Sequence, residues 1–179
     1  NPPIPPLPSF QLKPNHPTLY LNMSAAAAAS KQIILTLSNG IKMPLVGLGT
    51  WKSNPGEVKA SVLHAIKVGY RHIDAAWCYR NQGEVGEGIK EAIALGLVTR
   101  SDLFVTTKLW NNFHSKESVE PHLQDSLNQL GLDYVDLFLI HWPVTDVLAE
   151  TLTPSTEETW TGMEQIYKKG LAKAIGVSN

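Results

Sequence analysis

The sequence predicts an α/β fold whose parallel sheet curls into a barrel, and three observations point there. Short apolar runs alternate with helical stretches along most of the chain. The runs recur at intervals of roughly thirty residues, the length that a crossover helix between parallel strands requires. Polar and aromatic residues gather at the C-terminal ends of several runs, which is how the sites of (β/α)8 TIM barrels are assembled, whereas an open doubly wound sheet binds its ligand near one switch point.

The elements follow in order. Seven of the twelve prolines precede residue 18, and Met23 is followed by Ser24 and the run Ala25 to Ala29. Residues 1–30 therefore read as a disordered Pro/Ala-rich extension, too poor in large apolar residues to fold. Met23 is taken as the initiator, with residues 1–22 as translated upstream sequence. A targeting peptide is the rival reading, although the segment lacks the arginines of a transit peptide. Residues 31–179 form the partial barrel. It opens on a β-hairpin, Ile33 to Leu37 and Ile41 to Met43, joined across Asn39-Gly40.

Five strands come next: Val46–Thr50, His72–Ala76, Leu103–Lys108, Val135–His141 and Ala172–Ser178. The helices between them carry start signals. Asn54-Pro55-Gly56-Glu57 offers a cap, a proline at the first helical position and a Glu three residues on. Asn81 to Glu84 and Ser155 to Glu158 repeat the capping spacing, and Pro121 places a helix start near Ser118. Apolar stripes at helical period follow: Val58, Val62 and Ile66; Val85, Ile89 and Ile93; Val119, Leu123, Leu127 and Leu130. Lys168-Lys169-Gly170 closes the last helix. A barrel needs eight strands, so this one is truncated after about the fifth. Two unpaired parallel edges would remain, and the chain alone is expected to fold poorly.

Composition narrows the function. With 43% hydrophobic residues the chain can bury one core, and its net charge of −1 and pI near 6.6 leave no basic stripe for nucleic acid. No apolar run is long enough to span a membrane. The single cysteine, Cys78, fits a reducing, cytoplasmic setting and reads as a small packing residue. His16, His64, His72, His114 and His122 lack metal-ligand spacing, so no metal is expected.

Asp74, Tyr79, Lys108 and His141 stand at the ends of neighbouring strands. A buried lysine is costly unless paired, which makes Asp74 and Lys108 an ion pair, either closing a barrel layer or serving chemistry. A free tyrosine, with a pKa near ~10, is a poor proton donor at neutral pH. A cation about 4 Å away is worth approximately 4 kcal/mol at an effective dielectric of ~20, enough to lower that value by about two units. His141, after Leu137 to Ile140, could then hydrogen-bond a substrate oxygen. Trp51, Trp110 and Trp142 would wall a dry pocket; core packing explains one such tryptophan better than three.

The stretches Val46-Gly47-Leu48-Gly49-Thr50-Trp51, Gly69 to Ala76, Lys108-Leu109-Trp110, Asp136 to Pro143 and Ile175-Gly176-Val177-Ser178-Asn179 resemble the aldo-keto reductase family, in its order and near its spacing. The likeness runs from about Lys31 to the last residue. It implies Tyr79 as general acid and base, Lys108 lowering its pKa, Asp74 paired with the lysine and His141 positioning the carbonyl. It implies hydride from NADPH, with Thr50, Trp51, Asp74, Ser178 and Asn179 lining the cofactor. Substrate contacts would be Trp51, Trp110, His141 and Trp142, on an aldehyde, ketone, sugar or, in reverse, an alcohol. The part of the family that grips the adenosine 2′-phosphate lies outside what the likeness covers, so the fragment itself is expected to have little activity. Two other readings stay open: a lyase or aldolase in which Lys108 forms a Schiff base, and a regulatory barrel that binds nicotinamide without turnover.

Overall fold

The computed structural model describes residues 32–145 and 153–179. The Pro/Ala-rich extension and the start at Met23 lie outside the described residues. The hairpin consists of β1 (Ile34–Thr36) and β2 (Lys42–Pro44), antiparallel with Leu35 opposite Met43. Gly40 takes the positive φ of +85° that the turn needs, and Asn39 donates to the Lys173 carbonyl, tying the hairpin to the far edge of the sheet.

A five-stranded parallel sheet follows. Its strands are β3 (Leu48–Gly49), β4 (His72–Asp74), β5 (Phe104–Leu109), β6 (Val135–Ile140) and β7 (Ala172–Val177), each beside its sequence neighbour. Strictly sequential order with no reversal is the winding of a barrel wall; a doubly wound sheet changes direction at its switch point. Among the described residues β3 and β7 each have one strand partner. Along the open β7 edge, Leu37, Met43, Leu137, Leu139 and Tyr167 line a groove of about 640 Å³.

Four helices, α1 (Val58–Lys67), α2 (Gln82–Ala94), α3 (Lys116–Leu130) and α4 (Thr156–Lys168), cover one face. Their apolar stripes meet Ile73, Val105, Phe138 and Ile140 in one core. Each such side chain contributes roughly 1.5–3 kcal/mol on burial. A Cβ on Gly86 would stand 2.3 Å from the Leu130 carbonyl oxygen, so glycine alone allows α2 this close to the end of α3.

Four sequence expectations need correction. The helix expected after Asn54 begins at Val58, because Asn54 spends its amide on Glu57 and Gly56 turns the chain at φ +86°. Its first N–H groups are capped from α2 instead, where Glu84 accepts from Gly56 and Val58. Asn81 precedes α2 as expected but makes no side-chain cap: its Nδ2 donates to the Thr50 carbonyl, an orientation that leaves Oδ1 without a partner among the described residues. The third helix starts at Lys116, not near Ser118, placing Pro121 in the second turn; exposed Glu117 leaves the unpaired carbonyl to solvent. Ile93 turns outward at the end of α2, and Ala92 takes its place in the core. The last helix keeps its predicted cap, with Glu158 N–H donating to Ser155 Oγ at 3.2 Å.

Candidate active site

The strand register sets the site. β4 and β5 pair Asp74 with Thr106, which brings Lys108, one pleat further along, past the end of β4. Lys108 Nζ donates to Asp74 Oδ1 at 2.6 Å, to the Ala75 carbonyl at 3.0 Å and to Tyr79 Oη at 3.4 Å. The lysine is buried while the aspartate is half exposed, so one oxygen of the pair faces the mouth. Tyr79 arrives from a short 3-10 turn, Trp77–Tyr79, closed by Arg80 at φ +59°. Its backbone N–H donates to the Ala76 carbonyl at 3.1 Å, fixing where the phenol points.

His141 follows β6, and its N–H donates to the Leu109 carbonyl, extending the ladder by one bond. The ring stands edge-on to Tyr79 at 5.8 Å and to Trp110 at 5.4 Å between centroids, and stacks on Trp142 at 6.2 Å. Burial, with Lys108 adding to it and Asp74 opposing, pushes its pKa down to about 4. The imidazole is neutral at pH 7 and can donate one hydrogen bond without carrying charge. Trp51, 66% exposed, flanks Tyr79 at 6.4 Å. Beyond the tryptophans a cavity of about 860 Å³ is lined by Trp110, Asn111, His114, Trp142 and Thr145.

The structure thus gathers Asp74, Tyr79, Lys108, His141 and the three tryptophans at one end of the sheet. Ser178 and Asn179 reach the same rim from β7: Ser178 Oγ and Asn179 Nδ2 donate to the His141 carbonyl at 2.7 and 2.8 Å. Those bonds leave Asn179 Oδ1 without a partner among the described residues, an acceptor at the rim that an amide N–H could use. Thr50 behaves differently. It is buried, and both its N–H and its hydroxyl point to the Asp74 carbonyl, so its side chain holds β3 on β4.

Two neighbours that the sequence did not place at the site stand close to it. Cys78 is half buried with Sγ 3.6 Å from His141 Nδ1, so it borders the site. Burial raises its thiol pKa, with Lys108 opposing. Asn81, whose spacing predicts only a cap, ties this turn to the end of β3 through the Thr50 carbonyl.

A family model described as aldo/keto reductase family matches residues 45–179. Aldo-keto reductase family 1 member A1 of Gallus gallus is 47% identical over 81% of this chain and 48% of its own length. The D/L-glyceraldehyde reductase of Hypocrea jecorina is 48% identical, with the same coverage. The chain spans about half the length of the curated relatives it matches. Among solved structures, a Bombyx mori aldo-keto reductase in complex with NADP superposes with a TM-score of 0.76 at 46% identity, over 82% of this chain and 50% of that one. The aldose reductase from Schistosoma japonicum gives 0.74 at 41%, over 81% and 52%.

Proposed function

The chain belongs to the aldo/keto reductase family, and from that premise we propose that it serves NADPH-dependent reduction of an aldehyde, ketone or sugar carbonyl, with Tyr79 as proton donor. The observation that carries the reading is the unbroken contact chain from Asp74 through Lys108 Nζ to Tyr79 Oη, with the neutral His141 ring beside the phenol. A bound nicotinamide would supply the hydride. Everything else is assigned to the protein. Tyr79 Oη gives its proton to the carbonyl oxygen, Lys108 stabilises the phenolate left behind, and Asp74 holds the lysine in place. His141 donates to the same oxygen and fixes the approach of the carbonyl. Ser178 and Asn179 hold the carboxamide, Asp74 and Trp51 border the cofactor, and Trp51, Trp110 and Trp142 exclude water from the reacting carbon.

The Schiff-base alternative meets an obstacle in the geometry. Lys108 spends its N–H donors on Asp74, Ala75 and Tyr79, leaving no lone pair turned toward a substrate. Among the described residues no helix is long and apolar enough to cross a membrane. A lone half-buried thiol suits the reducing cytoplasm, where we place the reaction. Residues 31–179 act in this reading as one partial-barrel unit.

Tyr79→Phe in the full-length protein tests the assignment. Carbonyl reduction with NADPH should fall by about 10²-fold or more. Unchanged turnover would remove Tyr79 from the role, and absence of turnover in the parent protein would favour the non-catalytic, nicotinamide-binding reading.

A further inference from the structure

His141 has two ring nitrogens with unequal surroundings. Among the described residues Nδ1 has one hydrogen-bonding partner, Cys78 Sγ at 3.6 Å, and Nε2 has none. The rings of Tyr79, Trp110 and Trp142 pack against the imidazole, and the charges of Lys108 and Asp74 act on it without a hydrogen bond to either nitrogen. A neutral imidazole carries one proton, and the bond made by one nitrogen decides which tautomer is present. If Nδ1 held the proton it would donate to sulfur, a weak acceptor, and Nε2 would face the substrate oxygen with a lone pair.

The opposite arrangement uses each group better. The thiol is half buried and keeps its proton at neutral pH, while the bare imidazole nitrogen is a strong acceptor. We propose that Cys78 is a positioning residue that sets the tautomer of His141, donating S–H to Nδ1 so that Nε2–H points at the substrate oxygen. This rests on the reductase reading for its consequence, but the tautomer itself exists without substrate. Cys78 sits one residue before Tyr79, so the same 3-10 turn delivers the proton donor and orients its partner.

The experiment is a two-bond ¹⁵N–¹H spectrum of ¹⁵N-histidine-labelled full-length protein, with kinetics on three variants. The parent His141 signals should show a protonated Nε2 and a bare Nδ1. Cys78→Ala should mix the tautomers and lower kcat about threefold to tenfold while KM for NADPH stays constant. Cys78→Ser should restore the parent spectrum and most of kcat, because a hydroxyl donates in the same direction. Cys78→Val, somewhat larger than cysteine and without a donor, repeats the loss without opening space. A parent spectrum with protonated Nδ1, or an alanine variant with unchanged spectrum and kcat, overturns the proposal. If the parent reduces no carbonyl, the reductase reading fails while the spectrum still decides the tautomer.

Discussion

Two buried histidines on opposite sides of the same turn set the strand-end cluster against the helix layer. His141, 7% exposed, lies among the polar residues at the sheet's C-terminal end; His122, 3% exposed, lies behind it on α3, caged by Trp77, Phe113 and Phe138. Burial drives both pKa values down to about 4. Their partners differ. His141 has the Cys78 thiol on Nδ1, whereas neither nitrogen of His122 has a partner among the described residues. A depressed pKa therefore marks desolvation in both places and chemistry in neither by itself. What separates them is the company of Tyr79 and Lys108.

The comparison breaks most sharply on activity. His141→Leu should cut carbonyl reduction by about 10²-fold through loss of the donor to the substrate oxygen. His122→Leu should leave it within about twofold, since nothing in its cage reaches the reacting atoms. Steady-state kinetics on both variants in the full-length protein checks this; similar losses would mean that the cage shapes the site.

The next effect is on stability and its sign is fixed. Between the ordinary histidine pKa of 6.5 and about 4, the unfolded chain binds a proton that the folded His122 refuses. Stability is then fully present above pH 6.5 and is lost as pH falls toward 4, by on the order of 2–3 kcal/mol for such a group. His122→Leu should flatten that decline and cost little at neutral pH, because an unpartnered buried ring is exchanged for an apolar one of similar size. Urea unfolding of parent and variant across this range measures it, and parallel pH curves would refute the assignment.

The two histidines also show what a sequence exposes. Asp74, Lys108 and His141 were legible because each ends an apolar run, and strand ends in a barrel converge on one place. The hairpin and the strand order followed from equally local signals. His122 was not: the apolar stripe Val119, Leu123, Leu127 and Leu130 leaves it out, yet in the structure it shares their buried face with Ser126. Nor were the caps. Glu84 reaches back to the start of α1 and Asn81 to Thr50, partnerships across 26 to 31 residues that no local spacing encodes. Cys78 was missed for the same reason, since His141 lies 63 residues away.

Trp77 joins the two regions and gives the smallest expected effect. Its Nε1 donates to Asp125 Oδ2 at 2.6 Å, its ring closes one side of the His122 cage, and it begins the 3-10 turn that ends in Tyr79. Arg80 lies over the same ring at 4.1 Å, which adds a cation–π contact on the outer side. Trp77→Phe keeps an aromatic wall but removes the N–H and part of the stacking surface. It should cost about 1 kcal/mol of stability, the net worth of one hydrogen bond to a charged but exposed partner. If the turn is held mainly by its own backbone bonds, Tyr79 N–H to Ala76 and Arg80 N–H to Trp77, kcat should move by less than about threefold. A tenfold or larger loss would show that the cage, through Trp77, sets the position of Tyr79, and the two regions would then have to be treated as one.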